Sequence, residues 1–403
     1  MKLLLYSHAF APSIGGVQTI VGAFARGLAR GGVEVTVATP APRGEMDDAH
    51  LPFAVVRSPS ARDLVRLIRQ ADLVHLAGPA LMPLTLGLLL GRPVVVEHHG
   101  FQTICPNGQL YHEPTDSGCP GHFMAGRHRE CLRCNRGQGR IANLKLWSLT
   151  FVRRWLCRRV AANIAPTAWL GEVLGLPRTT TILHGLNGTV PLRASRHELP
   201  LRFAFVGRLV GTKGVRVLLD AAMKLRAERH SFRVDVIGDG PDRAEFEAIA
   251  TGSGLEQAVC FRGRLSSEAM ERVLQESDAL VMPSLAGEVF GLAALENMFR
   301  GGLVIASRIG SLAEVVGDAG LTFEPGNAEA LAACMRRVIE NPRLAEELGR
   351  RSGERAQSFF REAQMIDKHI ALYEKVLALG NHSPGRSAEV PRRVRGAGGN
   401  RQA

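Results

Sequence analysis

Residues 201–214 read LRFAFVGRLVGTKG. Leu201–Val206 is a mainly apolar run of strand length, and Gly207, Gly211 and Gly214 punctuate the stretch before a helical pattern resumes. Short apolar runs without strict alternation are the pattern of strands buried on both faces of a parallel sheet. Working outward, the same unit recurs. Strands are expected over Arg233–Ile237, Val259–Arg262, Ala279–Met282 and Leu303–Ala306, with helices between them. Further helices are expected over Ala328–Glu340, Pro342–Phe359 and Glu362–Leu379. Upstream, Lys2–Tyr6, Glu34–Thr39, Leu73–Leu76 and Pro93–His98 read as strands, and Gly16–Gly31 and Asp63–Gln70 as helices. Alternation of this kind implies two doubly wound α/β domains in tandem.

The 403 residues exceed one ordinary core, which agrees with two domains. A first domain is expected over residues 1–185, interrupted by an irregular Cys/His-rich stretch at about 100–140. A linker over 186–199, a second domain over 200–360, a last helix over 361–380 and a disordered Gly/Pro/Arg-rich tail over 381–403 complete the expected order. The net charge of +12 favours anionic partners. Nucleic acid is not expected among them, since aromatic residues are only 5% and no nucleic-acid-binding pattern occurs. The N-terminus reads as a buried strand, not a signal peptide, and the longest apolar stretch, Leu81–Leu90, is broken by Pro83 and Gly87. A cytoplasmic protein is therefore expected, with its seven cysteines as thiols or metal ligands.

The chemistry concentrates at strand ends, where open α/β sheets bind ligands. Arg208 and Lys213 on one glycine loop suit a diphosphate. The ordinary alternative is a strand-to-helix turn with two surface charges. Gly238 lies in Gly-Asp-Gly-Pro after another strand; alone this reads as a plain turn. Residues 283–296, PSLAGEVFGLAALE, follow a strand and open a helix. The N–H groups of Phe290, Gly291 and Leu292 would be free at the helix start to hold phosphate oxygens. Glu288 and Glu296 would accept hydrogen bonds from sugar and ribose hydroxyls. An acid favoured by the helix dipole plus a surface Glu is the plainer account.

Taken together, the Glu288/Glu296 pair separated by seven residues, Gly207-Arg208…Lys213-Gly214 and Gly238-Asp239-Gly240-Pro241 resemble the retaining glycosyltransferases of family 4. Ser13-Ile14-Gly15-Gly16 resembles that family's first glycine loop, and Asn163–Thr167, His184–Asn187, Gly310 and Glu314 also fit, over roughly residues 1–375. The resemblance implies a GT-B fold: two facing Rossmann-like domains with a cleft, the acceptor in the first and a nucleotide-diphosphate sugar (UDP-, GDP- or ADP-linked) in the second. It implies a last helix crossing back to the first domain. It assigns Arg208 and Lys213 to the diphosphate, Glu288 to the donor sugar, Glu296 to the ribose and Arg264 to the neighbourhood of the base. Gly15 and Gly16 would border the phosphate, and His99 would sit beside the transferred sugar, with His98 as the alternative. Transfer to a hydroxyl of a glycan or lipid-linked acceptor, with retained configuration and no catalytic cofactor, is the implied reaction. Leu303 stands where the family has Pro, and Asn187 where Asp is common. The rival readings are a sugar-nucleotide epimerase or phosphorylase on the same fold and a non-catalytic sugar-nucleotide binder.

Two further features stand outside that resemblance's core. Cys105, Cys119, Cys131 and Cys134 lie in the irregular stretch near His112, His122 and His128, a set that suits a structural zinc or, more plainly, buried thiols. Cys157, Cys260 and Cys334 are expected in the core. Leu144–Val160 reads as a basic helix with Trp147, Phe151, Trp155 and Leu156 on one face, which suits either core packing or peripheral docking at the inner face of a membrane.

Overall fold

The computed structural model describes residues 1–13, 15–44, 46–135, 138–188 and 200–381. The first half builds β1 (Lys2–Ser7), α1 (Gly16–Arg30), β2 (Glu34–Thr39), β3 (Ala54–Arg57), α2 (Ala61–Gln70), β4 (Leu73–Ala77), α3 (Leu81–Leu89) and β5 (Val94–Glu97). A short hairpin, β6 (Tyr111–His112) and β7 (Ser117–Gly118), then precedes α4 (His128–Arg133), α5 (Arg140–Cys157), β8 (Ala162–Ala165), α6 (Ala168–Leu174) and β9 (Thr179–Thr181). The second half builds β10 (Leu201–Val206), α7 (Val215–Ala227), β11 (Phe232–Ile237), α8 (Arg243–Gly252), β12 (Val259–Gly263), α9 (Ser267–Glu276) and β13 (Ala279–Met282). It ends with α10 (Leu292–Phe299), β14 (Leu303–Ser307), α11 (Gly310–Val316), β15 (Leu321–Phe323), α12 (Ala328–Glu340), α13 (Arg343–Phe359) and α14 (Glu362–Asn381).

Two parallel sheets result, ordered β3-β2-β1-β4-β5-β8-β9 and β12-β11-β10-β13-β14-β15. In each, the order reverses beside the first strand, β1 or β10, so the loops that follow these strands border the crevice where such sheets take ligands. Phe203, Val234, Val281 and Ile305 from one sheet pack with Leu218, Leu219, Leu331 and Met335 of the flanking α7 and α12. In the first domain, Leu3, Leu5 and Val95 share a core with Phe24 of α1 and with Met365, Ile366 and Tyr373 of α14. The last helix thus crosses back onto the first domain, where Glu362 pairs with Arg30.

Several expectations shift. The basic helix begins at Arg140 and ends at Cys157, four residues earlier at its start than read. Its supposed single apolar face divides: Leu156 is buried, whereas Trp155 and Phe151 are exposed. Residues 155 and 156 point about 100° apart on a helix, so they cannot share a face. Cys157 and Cys334 are buried, but Cys260 is exposed, because β12 is an edge strand and leaves one face of the sheet's rim uncovered. The expected linker is described only over Leu186–Gly188, where Leu186 bridges to Arg361; most of it and the tail from 382 lie outside the described residues. No helix among the described residues is long and apolar enough to cross a membrane.

Candidate active site

Three loops at the ends of β10, β11 and β13 form one wall. The Leu209 N–H donates to the Asp239 carbonyl and Gly207 N–H to that of Ile237, joining the first loop to the second. The Gly211 N–H donates to Asp242 at 2.8 Å. On the other side, Leu285 N–H donates to the Thr212 carbonyl at 2.8 Å. Glycine is required at the junctions. Gly238 has φ +135°, and a Cβ there would lie 1.9 Å from the Gly207 carbonyl oxygen. Gly214, at φ +70°, would place a Cβ 1.9 Å from the Pro283 oxygen.

Glu288 is buried at this junction. Lys213 Nζ donates to its Oε1 at 2.6 Å, and Ser284 Oγ donates to the same oxygen at 2.7 Å. Burial alone would raise the Glu288 pKa; the Lys213 ammonium and the two hydrogen bonds outweigh it and hold the carboxyl below its usual value. Glu296, on the second turn of α10, is half-buried, and burial raises its pKa. Arg208 is exposed, with no side-chain partner among the described residues. Arg264 is exposed and lies 3.9 Å from Asp239. Gly291 adopts φ +92° and caps α10; among the described residues the N–H groups of Phe290, Gly291 and Leu292 donate to no protein acceptor.

The first domain faces this wall. Gly16 opens α1 so near the start of α10 that a Cβ on it would lie 3.1 Å from Leu292 Cδ1. Gly15 precedes it as the N-cap. The two histidines after β5 differ. His98 is fully buried, with Nε2 3.0 Å from Asn163 Oδ1, and burial depresses its pKa to about 4. His99 lies at the cleft edge, stacked on His184 with ring centroids 5.2 Å apart, and His184 in turn meets Phe290 at 4.9 Å.

Sequence reading missed what lies behind His99. Glu97, the last residue of β5, is buried amid four histidines: His184 at 3.1 Å, His75 at 3.2 Å, His99 at 3.5 Å and His369 at 3.8 Å. Burial opposes its charge, but His99, the hydrogen bonds from His184 and His75 and the nearby His369 hold its pKa well below the carboxylate range. Burial lowers the pKa of His75 and of His184, so both are neutral beside it. An ionised carboxylate only accepts, which places the proton of each on Nε2. The other nitrogen of His75 then accepts from Tyr373 Oη at 2.6 Å. One candidate donor atom each from Glu97, His99 and His184 lie within 4.8 Å of one another, a spacing compatible with a metal; His184 is already bonded to Glu97, whereas His99 Nε2 has no hydrogen-bond partner among the described residues.

Other predicted residues tie the domains together. The Glu314 carboxylate accepts from the Ala168 and Trp169 N–H groups, both at 3.0 Å, capping α6 of the first domain. Thr167 and Ser311 hydroxyls meet at 2.7 Å. Asn187 donates to Glu362 at 2.8 Å, a role the Asp common at that position could not fill.

A cleft between two such sheets, with cationic and carboxylate side chains on one wall and histidines on the other, defines a GT-B glycosyltransferase. The profile of the glycosyl transferases group 1 matches residues 194–356, and that of glycosyltransferase family 4 matches residues 14–185. The chain belongs to this group of glycosyltransferases. It is similar to a glycogen synthase of Mycobacterium tuberculosis, 28% identical over 393 residues and spanning 89% of this chain and 91% of that protein. It also resembles the D-rhamnosyltransferase WbpZ of Pseudomonas aeruginosa, 35% identical over 45% of this chain and 50% of that protein. Among solved structures, sucrose-phosphate synthase from Thermosynechococcus elongatus superposes with TM-score 0.72 at 20% identity, covering 94% of this chain and 99% of that one. Anabaena HepE in complex with UDP and glucose superposes with TM-score 0.70 at 18% identity, covering 93% and 100%.

Proposed function

We propose that the protein transfers a sugar from a nucleotide-diphosphate donor to an acceptor hydroxyl with retention of anomeric configuration. The observation that carries this reading is the Lys213–Glu288 pair, set beside three N–H groups at the start of α10 that donate to no acceptor among the described residues. Arg208, Lys213 and those N–H groups stabilise the charge that develops on the leaving diphosphate. Glu288 holds sugar hydroxyls and Glu296 the ribose; Arg264 borders the base and Gly238 lets the backbone approach the donor. Gly15 and Gly16 border the phosphate from the other wall, and His99, oriented through Glu97 and His184, sits beside the transferred sugar. The acceptor hydroxyl attacks the anomeric carbon on the face the diphosphate leaves, and its proton passes to the departing phosphate oxygen. Basic side chains perform the charge stabilisation here, so no catalytic cofactor is invoked.

HepE, solved with UDP-glucose as well, is a structural neighbour and makes UDP-glucose a sensible first donor to test beside GDP- and ADP-sugars. Saturable binding of one donor, with its slow hydrolysis lost in Glu288→Ala and Lys213→Ala, is expected. A product of inverted configuration by NMR would overturn retention. No donor binding in a folded sample would favour a non-catalytic binder.

A peripheral membrane contact fits α5. Ile141, Leu144, Val152 and Trp155 are exposed along one stripe, and Arg159 stacks over the Trp155 ring at 3.5 Å. Flotation with anionic liposomes tests this, and no binding at low salt would end it. Such a contact suits a lipid-linked acceptor in the cytoplasmic leaflet.

A further inference from the structure

We propose that Cys105, Cys119, Cys131 and Cys134 bind one zinc ion, and that this ion locks the β6–β7 hairpin of the first domain against the donor loops of the second. The four cysteines come from separate places, the turn after Phe101, the residue following β7, and α4 with its C-cap, yet line a single small cavity with His122 and Tyr111. Cys105, Cys131 and Cys134 are buried, and none of the four is in a disulfide. The cavity measures about 10 Å³, room for one small ion and too little for a polynuclear iron–sulfur cluster.

A tight turn fixes the first of the four. The Cys105 Sγ–H donates to Asn107 Oδ1 at 2.9 Å, and the Gln109 N–H donates to the same oxygen at 2.9 Å. The turn places Gly108 at φ +71°. Asn107 braces it, donating to the Tyr111 carbonyl at 2.8 Å. The Cys119 N–H donates to the Leu110 carbonyl at 2.7 Å, fixing a second sulfur beside the first. Four thiolates in a small site suit tetrahedral zinc, with Zn–S bonds of about 2.3 Å. No three of the sulfurs lie within 4.8 Å of one another, so the ion draws them inward on binding. Each thiol surrenders one proton as its sulfur bonds the metal.

What such an ion would hold is visible across the cleft. The hairpin reaches the loops that carry Lys213 and Glu288. A Cβ on Gly211 would lie 3.4 Å from Tyr111 Oη, and one on Gly287 would lie 3.3 Å from the Gln109 carbonyl oxygen. One on Gly118 would lie 3.1 Å from the Leu285 carbonyl oxygen. Val289 packs on the cluster that includes Phe101, Ile104 and Cys105. The stretch between β5 and α5 holds little regular structure among the described residues, and a metal supplies cross-links there.

The test uses the full chain and stands apart from the donor reading, since it measures metal and backbone protection. Elemental analysis should give about one zinc per chain, and cobalt exchanged into the site should show thiolate-to-metal charge-transfer absorption. Both should vanish in Cys131→Ser/Cys134→Ser. Stripping the metal from wild type should speed hydrogen exchange over residues 109–118 and 285–289 by on the order of tenfold, leaving β1, β4, β10 and β13 protected. That persistence separates loss of metal from failure to fold. Metal-free protein with four freely titrating thiols after zinc loading would overturn the site, as would a Cys131–Cys134 disulfide or metal retained in the double variant. Unchanged exchange in the hairpin after stripping would overturn the locking role.

Discussion

Lys213 and Glu288 show why one side chain cannot be judged alone. The carboxylate is buried and depends on the ammonium 2.6 Å away, so Lys213→Ala leaves a buried charge unpaired. The expected loss is about 2 kcal/mol in urea unfolding, with the Glu288 pKa rising toward neutrality. Adding Glu288→Gln should recover most of that stability without restoring transfer; a double variant as unstable as the sum of the singles would show that the pair is not coupled. Gly238 makes the complementary case. Gly238→Ala needs both φ +135° and a Cβ 1.9 Å from the Gly207 oxygen, so a loss of about 3 kcal/mol with abolished donor binding is expected. Residues of this kind are legible in a sequence, because a glycine loop after an apolar run encodes its own geometry. Glu97 is not: nothing in the local order of residues 94–99 announces that His75, His184 and His369 will converge on it, since each comes from a different element.

At the scale of elements, β2, β10, β13 and α12 match their expected bounds, because a continuous apolar run or a 3.6-residue period is a local signal. The edge strand β9 is Thr-Thr-Thr, with no apolar run for the sequence to show. The helix α3 is likewise hidden in the sequence, where Pro83 and Gly87 read as breaks. Pro83 sits in the first turn, where no intrahelical N–H bond is lost, and a Cβ on Gly87 would lie 2.6 Å from Val94 of β5, so the glycine permits close packing. The last helix was expected, but not its polar cargo. Tyr373 and His369 are fully buried and carry α14 into the histidine cluster behind His99. Tyr373→Phe keeps the ring but leaves His75 Nδ1 without its donor, and should lower stability by about 1–2 kcal/mol. A melting temperature equal to wild type would mean that the hydroxyl contributes nothing to holding the helix.

For the molecule as a whole, the buried titratable groups are unevenly shared, and this gives the two domains different responses to acid. Glu97, His75, His98 and His184 lie in the first domain, joined by His369 of α14. His98 is bounded by Asn163 and lies near His99 and Glu97; its pKa of about 4 stands below the 6.5 of an unfolded histidine. Between these values the unfolded chain binds the extra proton, so stability falls as pH drops from 6.5 toward 4. His75 and His184 are shifted in the same direction and add to the effect. Glu97, depressed below its ordinary value, stabilises the fold above that value, and this contribution is lost only at lower pH. From His98 alone, about 2 kcal/mol should be lost between pH 6.5 and pH 5. The second domain's buried carboxylate at the site, Glu288, keeps its Lys213 partner throughout that range. Trp147 and Trp155 lie on α5 of the first domain, while Trp169 of α6 packs against Gly310 of the second, so tryptophan fluorescence reports chiefly on the first domain. The urea midpoint by fluorescence should therefore fall from pH 7 to pH 5, while hydrogen exchange in β10, β11 and β13 changes little. Equal weakening of both sheets would mean that the interdomain bonds from Glu314 and Thr167 couple them into one cooperative unit, and the acid response would then belong to the pair.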